Sequence, residues 1–167
     1  GKARIDYDRC VSCGQCLVSC PFGAIVDKSQ IFQVVRSIAE GNTVVAIVAP
    51  SFVGQFGKNV TVPKFVAAMK QLGFSDVVEV AAGADVCAIE EARDFVEKVP
   101  AQQKFLATSC CPSWRMMARR LFPDESGNIS MTYTPMIYTA RLVKHTHPGS
   151  KVVFIGPCEA KKLEAMQ

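Results

Sequence analysis

The stretch VVAIVAPS at residues 44–51 decides the fold of this chain. Its first six residues are apolar and rich in β-branched side chains, which is typical of a strand buried on both faces of a parallel sheet. Proline and serine follow at once and end the apolar run. The stretch therefore predicts a buried strand over residues 44–49, bounded by a turn.

Strands and helices alternate after this stretch. Further strands are predicted over residues 77–81, 104–108 and 151–155, with helices over 63–72, from Asp85 or Ala88 to 99, over 112–122 and from 135 to about 145. Alternation of this kind predicts an α/β fold with a mainly parallel sheet flanked by helices.

One helix is predicted before the first strand. Ser29 is its expected N-cap, and Gly41 is expected to end it after Glu40. Its apolar residues share one face at helical spacing; they are Ile31, Val34, Val35 and Ile38.

Composition limits the possible setting of this chain. Its 167 residues are 49% hydrophobic and 20% charged, which describes a folded protein with a core. The apolar runs are too short to span a membrane. The net charge of +4 is spread along the chain, so neither a nucleic acid nor a membrane is expected as a partner. Clustered cysteines favour a reducing or anaerobic compartment, and a cytoplasmic location is expected.

The N-terminal cysteines form the most specific motif. Cys10, Cys13, Cys16 and Cys20, followed by Pro21, have the C-x2-C-x2-C-x3-C-P spacing of bacterial ferredoxins, whose thiolates bind 4Fe-4S clusters. This spacing crowds the thiols too closely for sensible disulfides, and a zinc knuckle would have two separated pairs. The motif predicts a small, partial ferredoxin-like 4Fe-4S module over residues 1–28, ahead of an α/β domain over 29–167.

The ferredoxin motif predicts a partner motif. In two-cluster ferredoxins the fourth cysteine of such a run ligates the other cluster, so Cys20 requires a second set of thiols that is absent from this sequence. We expect a first ferredoxin half to lie upstream. The alternative is a site built from all four local thiols.

Two further motifs carry cysteines, TSCCPSW at residues 108–114 and GPCEAKKLE at 156–164. Each follows an apolar, strand-like run, so their thiols emerge where α/β sheets build their sites. Neither motif can chelate a metal alone. Cys111 and Cys158 are expected to be half of a four-thiolate site, which leaves Cys110 and Lys161 for chemistry.

The order of these motifs, with the Ala49-Pro50-Ser51 turn between them, resembles that of the iron-iron (FeFe) hydrogenases along essentially the whole chain. In that family the H-cluster joins a 4Fe-4S cubane, held by four cysteines, to a two-iron unit with carbonyl, cyanide and a bridging amine dithiolate. The resemblance implies reversible H2 oxidation and proton reduction, with H2 and protons as substrates and ferredoxin or a similar carrier as electron partner.

The resemblance also implies a ligand set. Cys111 matches the first cubane ligand and Cys158 the second, while the turn at residues 49–51 and Pro157 match segments that line the cofactor. The family's other two ligands lie in a third motif well downstream, and the sequence stops at Gln167. We therefore expect a missing downstream segment, and residues 1–167 alone are expected to be inactive.

Other roles follow from the same resemblance. Cys110 matches the proton-transfer cysteine, and Lys161 a lysine that holds a cyanide of the two-iron unit. Lys162 is expected to face solvent, whereas Glu164 is expected to orient or pair with neighbouring side chains. Relay groups are expected at three further positions, Glu91, Asp94 and Ser130. The alternative for the two carboxylates is a solvated helix face.

Two positions depart from the family pattern. Gly156 stands where a methionine is usual and Met136 where a glutamine is common, both beside the expected two-iron pocket. They indicate a divergent subgroup and keep open a non-catalytic relative, such as a prelamin-recognition-factor-like protein, an iron-sulfur assembly factor or a sensor. Assembly and prelamin-factor relatives typically lack the first cysteine of the TSCC pair. The presence of Cys110 favours the enzyme.

Overall fold

The computed structural model describes residues 4–166. Its α-helices are α1 (Gln15–Ser19), α2 (Ile31–Ala39), α3 (Val62–Gln71), α4 (Ala81–Lys98), α5 (Pro112–Leu121), α6 (Pro135–Thr146) and α7 (Glu159–Ala165). The strands are β1 (Val44–Val48), β2 (Asp76–Glu79) and β3 (Lys151–Ile155), and short 3-10 helices cover Pro50–Phe52 and Pro123–Asn128.

The strand predicted from the opening stretch lies at the centre of the sheet. The strand order is β2-β1-β3 and both pairings are parallel, with Ala46 between Val77 and Val153. Every residue of β1 is at most 1% exposed. The predicted α/β class, with a parallel sheet flanked by helices, is confirmed.

Both faces of β1 are covered because successive side chains of a strand point to opposite sides. Val44, Ala46 and Val48 pack with Phe65 and Met69 of α3, and Val34 and Ile38 of α2 join them. On the other face, Val45 and Ile47 pack with Met136 and Val143 of α6. Burial of each such aliphatic side chain contributes about 1.5–3 kcal/mol, so β1 is the main apolar anchor of the sheet.

The helix before β1 departs from its prediction. It begins at Ile31 with Gln30 as N-cap, and the Ser29 hydroxyl accepts only a 3.3 Å hydrogen bond from the Ile31 N–H. Ser29 is thus one residue too early to cap the helix. Gly41 does follow the helix end, in the left-handed conformation that a glycine adopts easily. Only part of the predicted apolar face is buried, because Ile31 is 71% exposed.

One predicted strand downstream is wrong, and two other predicted elements are present with different bounds. Residues 104–108 form no strand, since only Ala107 makes an isolated parallel bridge, with Ile129. The segment has no neighbouring strand with which it could form a continuous ladder of hydrogen bonds. The second strand covers Asp76–Glu79, and α4 begins at Ala81, earlier than Asp85 or Ala88.

The chain divides into two compact units. The sheet unit comprises Lys28–Ile89 and Thr134–Pro157, and the cysteine unit comprises the described residues of the segments 4–27, 90–133 and 158–166. The division of the sequence into domains at residues 28 and 29 remains a proposal. No helix between residues 4 and 166 is long and apolar enough to cross a membrane.

Gly83 allows α4 to approach α6 closely within the sheet unit. A Cβ at this position would lie 2.3 Å from the Pro135 carbonyl oxygen and from the Thr139 hydroxyl oxygen. Thr139 is fully buried, and its hydroxyl donates a 2.9 Å hydrogen bond to that carbonyl. Neither oxygen can move aside cheaply.

We predict that Gly83→Ala destabilises the protein by about 1–3 kcal/mol, the usual cost of overpacking, although alanine is the better helix former. Urea unfolding measures the change. Gly127→Ala is the control, because nothing lies within 4 Å of a Cβ built there. Equal stabilities of the two variants would contradict the close-approach explanation.

Candidate functional site

Two of the predicted cofactor-lining segments meet at the carboxyl edge of the sheet. Ala49 directly follows β1, and its N–H donates a 2.9 Å hydrogen bond to the Ile155 carbonyl at the end of β3. Pro50 begins the 3-10 helix that carries Ser51, and Pro157 follows β3. This is the edge at which α/β sheets place ligands.

The two residues that depart from the family pattern, Gly156 and Met136, differ in their surroundings. A Cβ at Gly156 would lie 2.6 Å from the Phe154 ring and 2.9 Å from the Ala49 Cβ, so the ring takes the space of a side chain at 156. Met136 is 3% exposed and packs in the core with Val45. Its side chain is therefore part of the core of the sheet unit.

Cys111 and Cys158 occupy the same local position in the cysteine unit. Each is the N-cap of a helix, Cys111 of α5 and Cys158 of α7, and each has an extended backbone. Pro112 occupies the first helical position of α5, where its lack of an N–H costs nothing. A helix N-terminus favours negative charge, so both positions suit a thiolate.

Lys161 joins the two C-terminal motifs. Its Nζ donates a 2.9 Å hydrogen bond to the Cys110 carbonyl and a 2.7 Å hydrogen bond to Glu164 Oε2. The side chains of Lys161 and Glu164 are only 12% and 9% exposed. The structure therefore brings Cys110, Lys161 and Glu164 together, and Glu164 pairs as predicted.

Buried hydroxyl groups flank the cysteine pair. Cys110 and Cys111 are exposed, whereas Ser109 and Ser113 are buried and their Oγ atoms have no hydrogen-bond partner. An unpaired buried hydroxyl costs about 1–3 kcal/mol, so natural proteins rarely keep such groups without reason. Unsatisfied donors around a candidate thiolate ligand fit a site that holds a further group, such as an iron-sulfur cluster.

The predicted relay residues lie in the same cysteine unit. Glu91 Oε1 is buried and has no hydrogen-bond partner, which distinguishes Glu91 from a solvated helix face. Asp94 pairs with Lys98 at 3.1 Å. Ser130 is 2% exposed, and its N–H donates a 2.8 Å hydrogen bond to the Ala107 carbonyl, beside the segment that leads to Cys110.

Two of the N-terminal thiols accept hydrogen bonds from backbone N–H groups, which suits thiolate ligands of a cluster. The Ser12 N–H donates to Cys10 Sγ at 3.3 Å, and the Ala24 N–H donates to Cys20 Sγ at 3.4 Å. Hydrogen bonds from the Ala24 and neighbouring N–H groups lower the pKa of the Cys20 thiol. Between residues 4 and 166, no three Cys, His, Asp or Glu side chains form a group able to hold a metal ion. The fit to a cluster therefore rests on the thiols and their N–H donors.

Sequence reasoning missed the contacts that hold the N-terminal segment. Arg120 Nη1 donates a 3.3 Å hydrogen bond to the Cys10 carbonyl. The Lys162 side chain is 35% exposed, so it faces solvent as predicted, but it also forms an ion pair with Asp27, which raises the pKa of the lysine. The basic pairs Arg119-Arg120 and Lys161-Lys162 were the only available signal, and charge alone gives no partner.

Comparison with known proteins gives the family. Residues 42–167 match the family model "Iron only hydrogenase large subunit, C-terminal domain", and residues 2–25 match a 4Fe-4S binding domain. The chain belongs to the iron-only hydrogenase family. The resemblance predicted from the sequence is confirmed, as are the cofactor classes, 4Fe-4S clusters and the H-cluster of the hydrogenase domain.

Individual relatives fall into two functional groups. The chain is 31% identical to the NADP-reducing hydrogenase subunit HndD of Solidesulfovibrio fructosivorans, over 93% of this chain and 30% of the relative. It is 25% identical to the nuclear prelamin A recognition factor of Xenopus laevis, over 99% of this chain and 42% of the relative. The chain thus spans less than half of either relative, and the family includes hydrogenases and proteins with other names.

A solved structure of an FeFe-hydrogenase has the same fold as this chain. That structure was determined in work on oxygen inactivation at the 2Fe subcluster of the H cluster. It is similar to this chain with a TM-score of 0.71 and 23% identity, over 82% of this chain and 41% of the other. The likeness supports the α/β architecture of the hydrogenase domain.

The buried lysine gives a stability prediction. Lys161→Met removes the charged partner of Glu164, whose side chain is 9% exposed, so the free energy of unfolding should fall by about 3 kcal/mol or more. Lys162→Met is the matched control in the same helix, because its ion pair is about one-third exposed and should contribute less than about 1 kcal/mol. Urea unfolding that gives similar losses for both variants would contradict a special role for Lys161.

Proposed function

We propose that this chain is part of an iron-iron hydrogenase that catalyses reversible H2 oxidation and proton reduction with ferredoxin-type electron transfer. The observation that carries the proposal is the partly buried Lys161, whose ammonium group donates hydrogen bonds to the Cys110 carbonyl and Glu164. This contact joins the TSCC and PCxxK motifs, which lie about 50 residues apart along the chain, within one compact unit. Both motifs belong to the family-defining region matched at residues 42–167.

The ligands and the proton donor have separate tasks. Cys111 and Cys158 would be two of the four thiolate ligands of the cubane, each at a helix N-terminus. When bound, the H-cluster supplies the iron site at which H2 is split or formed. Cys110 is next to a ligand and has an exposed thiol, so its Sγ can hold and transfer a proton.

Lys161 would orient the cofactor through its remaining donor. An ammonium group has three N–H donors, and two of them are used by the Cys110 carbonyl and Glu164. The third can bind an anionic ligand, such as a cyanide of the two-iron unit. The turn at residues 49–51 and Pro157 are further proposed cofactor-binding residues, as the family resemblance implies.

Three further residues of the cysteine unit are proposed to relay protons to and from the active site, as the family resemblance implies. Glu91 has an unsatisfied buried oxygen that can accept or release a proton without first breaking a hydrogen bond. Asp94 follows one helical turn later and is partly exposed beside Lys98, which suits an outer relay position. Ser130, with its buried hydroxyl, is the proposed third relay group.

Electrons would enter through the N-terminal module. Cys10, Cys13, Cys16 and Cys20 lie in the segment that matches a 4Fe-4S binding domain. A ferredoxin or similar carrier is the proposed partner, and the cytoplasm is the proposed location. The complete enzyme would use further segments before and after this chain for the remaining cluster ligands.

A non-catalytic iron-sulfur role is the second candidate. It is favoured by the likeness to the nuclear prelamin A recognition factor and by Gly156, where hydrogenases usually have methionine. Cys110 distinguishes the two candidates, because assembly and prelamin-factor relatives typically lack the first cysteine of the TSCC pair. Its presence beside Cys111 favours the enzyme.

Replacement of Cys110 tests the proposal in the complete, matured protein. Cys110→Ser should keep the iron content but slow H2 oxidation and evolution by about 100-fold or more, since loss of a proton-transfer group typically costs that much. Cys87→Ala is the control, because Cys87 is 5% exposed in the sheet unit and has no proposed catalytic part.

Two outcomes would count against this assignment. Turnover of the Cys110→Ser protein near that of the unaltered protein would remove Cys110 from the mechanism. An absence of H2 turnover in the unaltered, iron-replete protein would favour the non-catalytic candidate.

A further inference from the structure

We propose that Arg120 positions the N-terminal 4Fe-4S cluster and raises its reduction potential. The proposal rests on cluster binding by residues 2–25, and it does not depend on H2 chemistry. Arg120 stands in the last turn of α5, the helix that begins directly after Cys111. Its side chain reaches back to the cysteine motif.

The contact is made at the first cysteine of the motif. Arg120 Nη1 donates a 3.3 Å hydrogen bond to the Cys10 carbonyl, 110 residues earlier in the chain. The same cysteine is fixed from other sides, because its N–H donates to the Asp6 carbonyl at 2.8 Å and its Sγ accepts from the Ser12 N–H at 3.3 Å. Arg120 therefore adds a positive charge to an already ordered ligand residue.

A second helix holds the same segment. Lys162 of α7 pairs with Asp27, after the last cysteine of the motif, and with Glu159 at 3.6 Å. Gly14 packs against the Glu159 side chain so closely that a Cβ there would lie 3.1 Å from its Cγ. The N-terminal motif is thus fixed against the two helices that begin at the candidate H-cluster ligands.

The effect of Arg120 on the potential follows from charge. One-electron reduction adds a negative charge to the cluster without making or breaking a bond in the protein. A guanidinium beside a ligand residue stabilises the reduced state more than the oxidised one, which raises the reduction potential. Because the contact is exposed, the effect should be modest and should weaken with added salt.

The neighbouring arginine offers a matched control. Arg119 has the same charge and lies in the same helical turn, but its Nη2 approaches Met131 Sδ at 3.0 Å. Loss of Arg119 therefore removes an equal charge that makes no contact with the cysteine motif. A difference between the two variants isolates the contact from the net charge.

The experiment is a redox titration of the complete protein with its clusters, reduced by dithionite and followed by electron paramagnetic resonance. The N-terminal cluster is assigned as the signal that Cys13→Ala removes. Arg120→Gln should lower the equilibrium constant for one-electron reduction about 3- to 10-fold, where tenfold corresponds to about 59 mV. Arg119→Gln and Arg120→Lys should stay within about twofold of the unaltered protein, and the shift should shrink as the salt concentration rises.

The controls decide the outcome. Equal shifts for Arg120→Gln and Arg119→Gln, or no shift for Arg120→Gln, would overturn the proposal. If Arg120→Gln loses the cluster, Arg120→Leu, which keeps the apolar stem, is titrated instead by the same criteria. A shift in Arg120→Gln without H2 turnover in the unaltered protein would support this inference while the proposed function fails.

Discussion

The candidate site depends on the hydrogen bonds of the partly buried Lys161 ammonium group. It lies 12% exposed in α7, between the Cys110 carbonyl and the Glu164 carboxylate. A buried charge is stable only when it is paired and hydrogen bonded, so Lys161 holds α7 to the loop before α5. The helix starts that carry Cys111 and Cys158 are thereby fixed in one compact unit.

The sheet was predictable where its strands are buried on both faces. The run of β-branched residues in β1 has no other stable position than the centre of a parallel sheet. The predicted strand over residues 104–108 was wrong because its apolar residues meet only one short bridge, at Ala107 and Ile129. Apolar composition marks burial but gives no information about pairing partners. The cap at Ser29 was misplaced by one residue for a related reason, since the serine hydroxyl can accept from a nearby N–H just before the helix.

The candidate site was likewise predictable only in part. Its chemistry was predictable, because thiol spacing and residue order carry it, whereas the contact of Lys161 with the Cys110 carbonyl was found only in the structure. The contacts of Arg120 and Lys162 were not predictable, because they join residues more than 100 positions apart. The unsatisfied buried oxygens of Glu91, Ser109 and Ser113 also depend on tertiary packing. Such atoms distinguish a polar site from a solvated surface, and only a structure locates them.

Infrared spectroscopy of the complete protein after maturation tests the central claim most directly. If Cys111, Cys158 and Lys161 belong to an H-cluster site, the spectrum should contain bands from metal-bound carbonyl and cyanide. Replacement of Lys161 by methionine should shift or remove the cyanide bands if its ammonium binds that ligand. Full iron loading of the matured protein without any carbonyl or cyanide band would contradict the hydrogenase assignment and leave a cluster-binding protein without hydrogen chemistry.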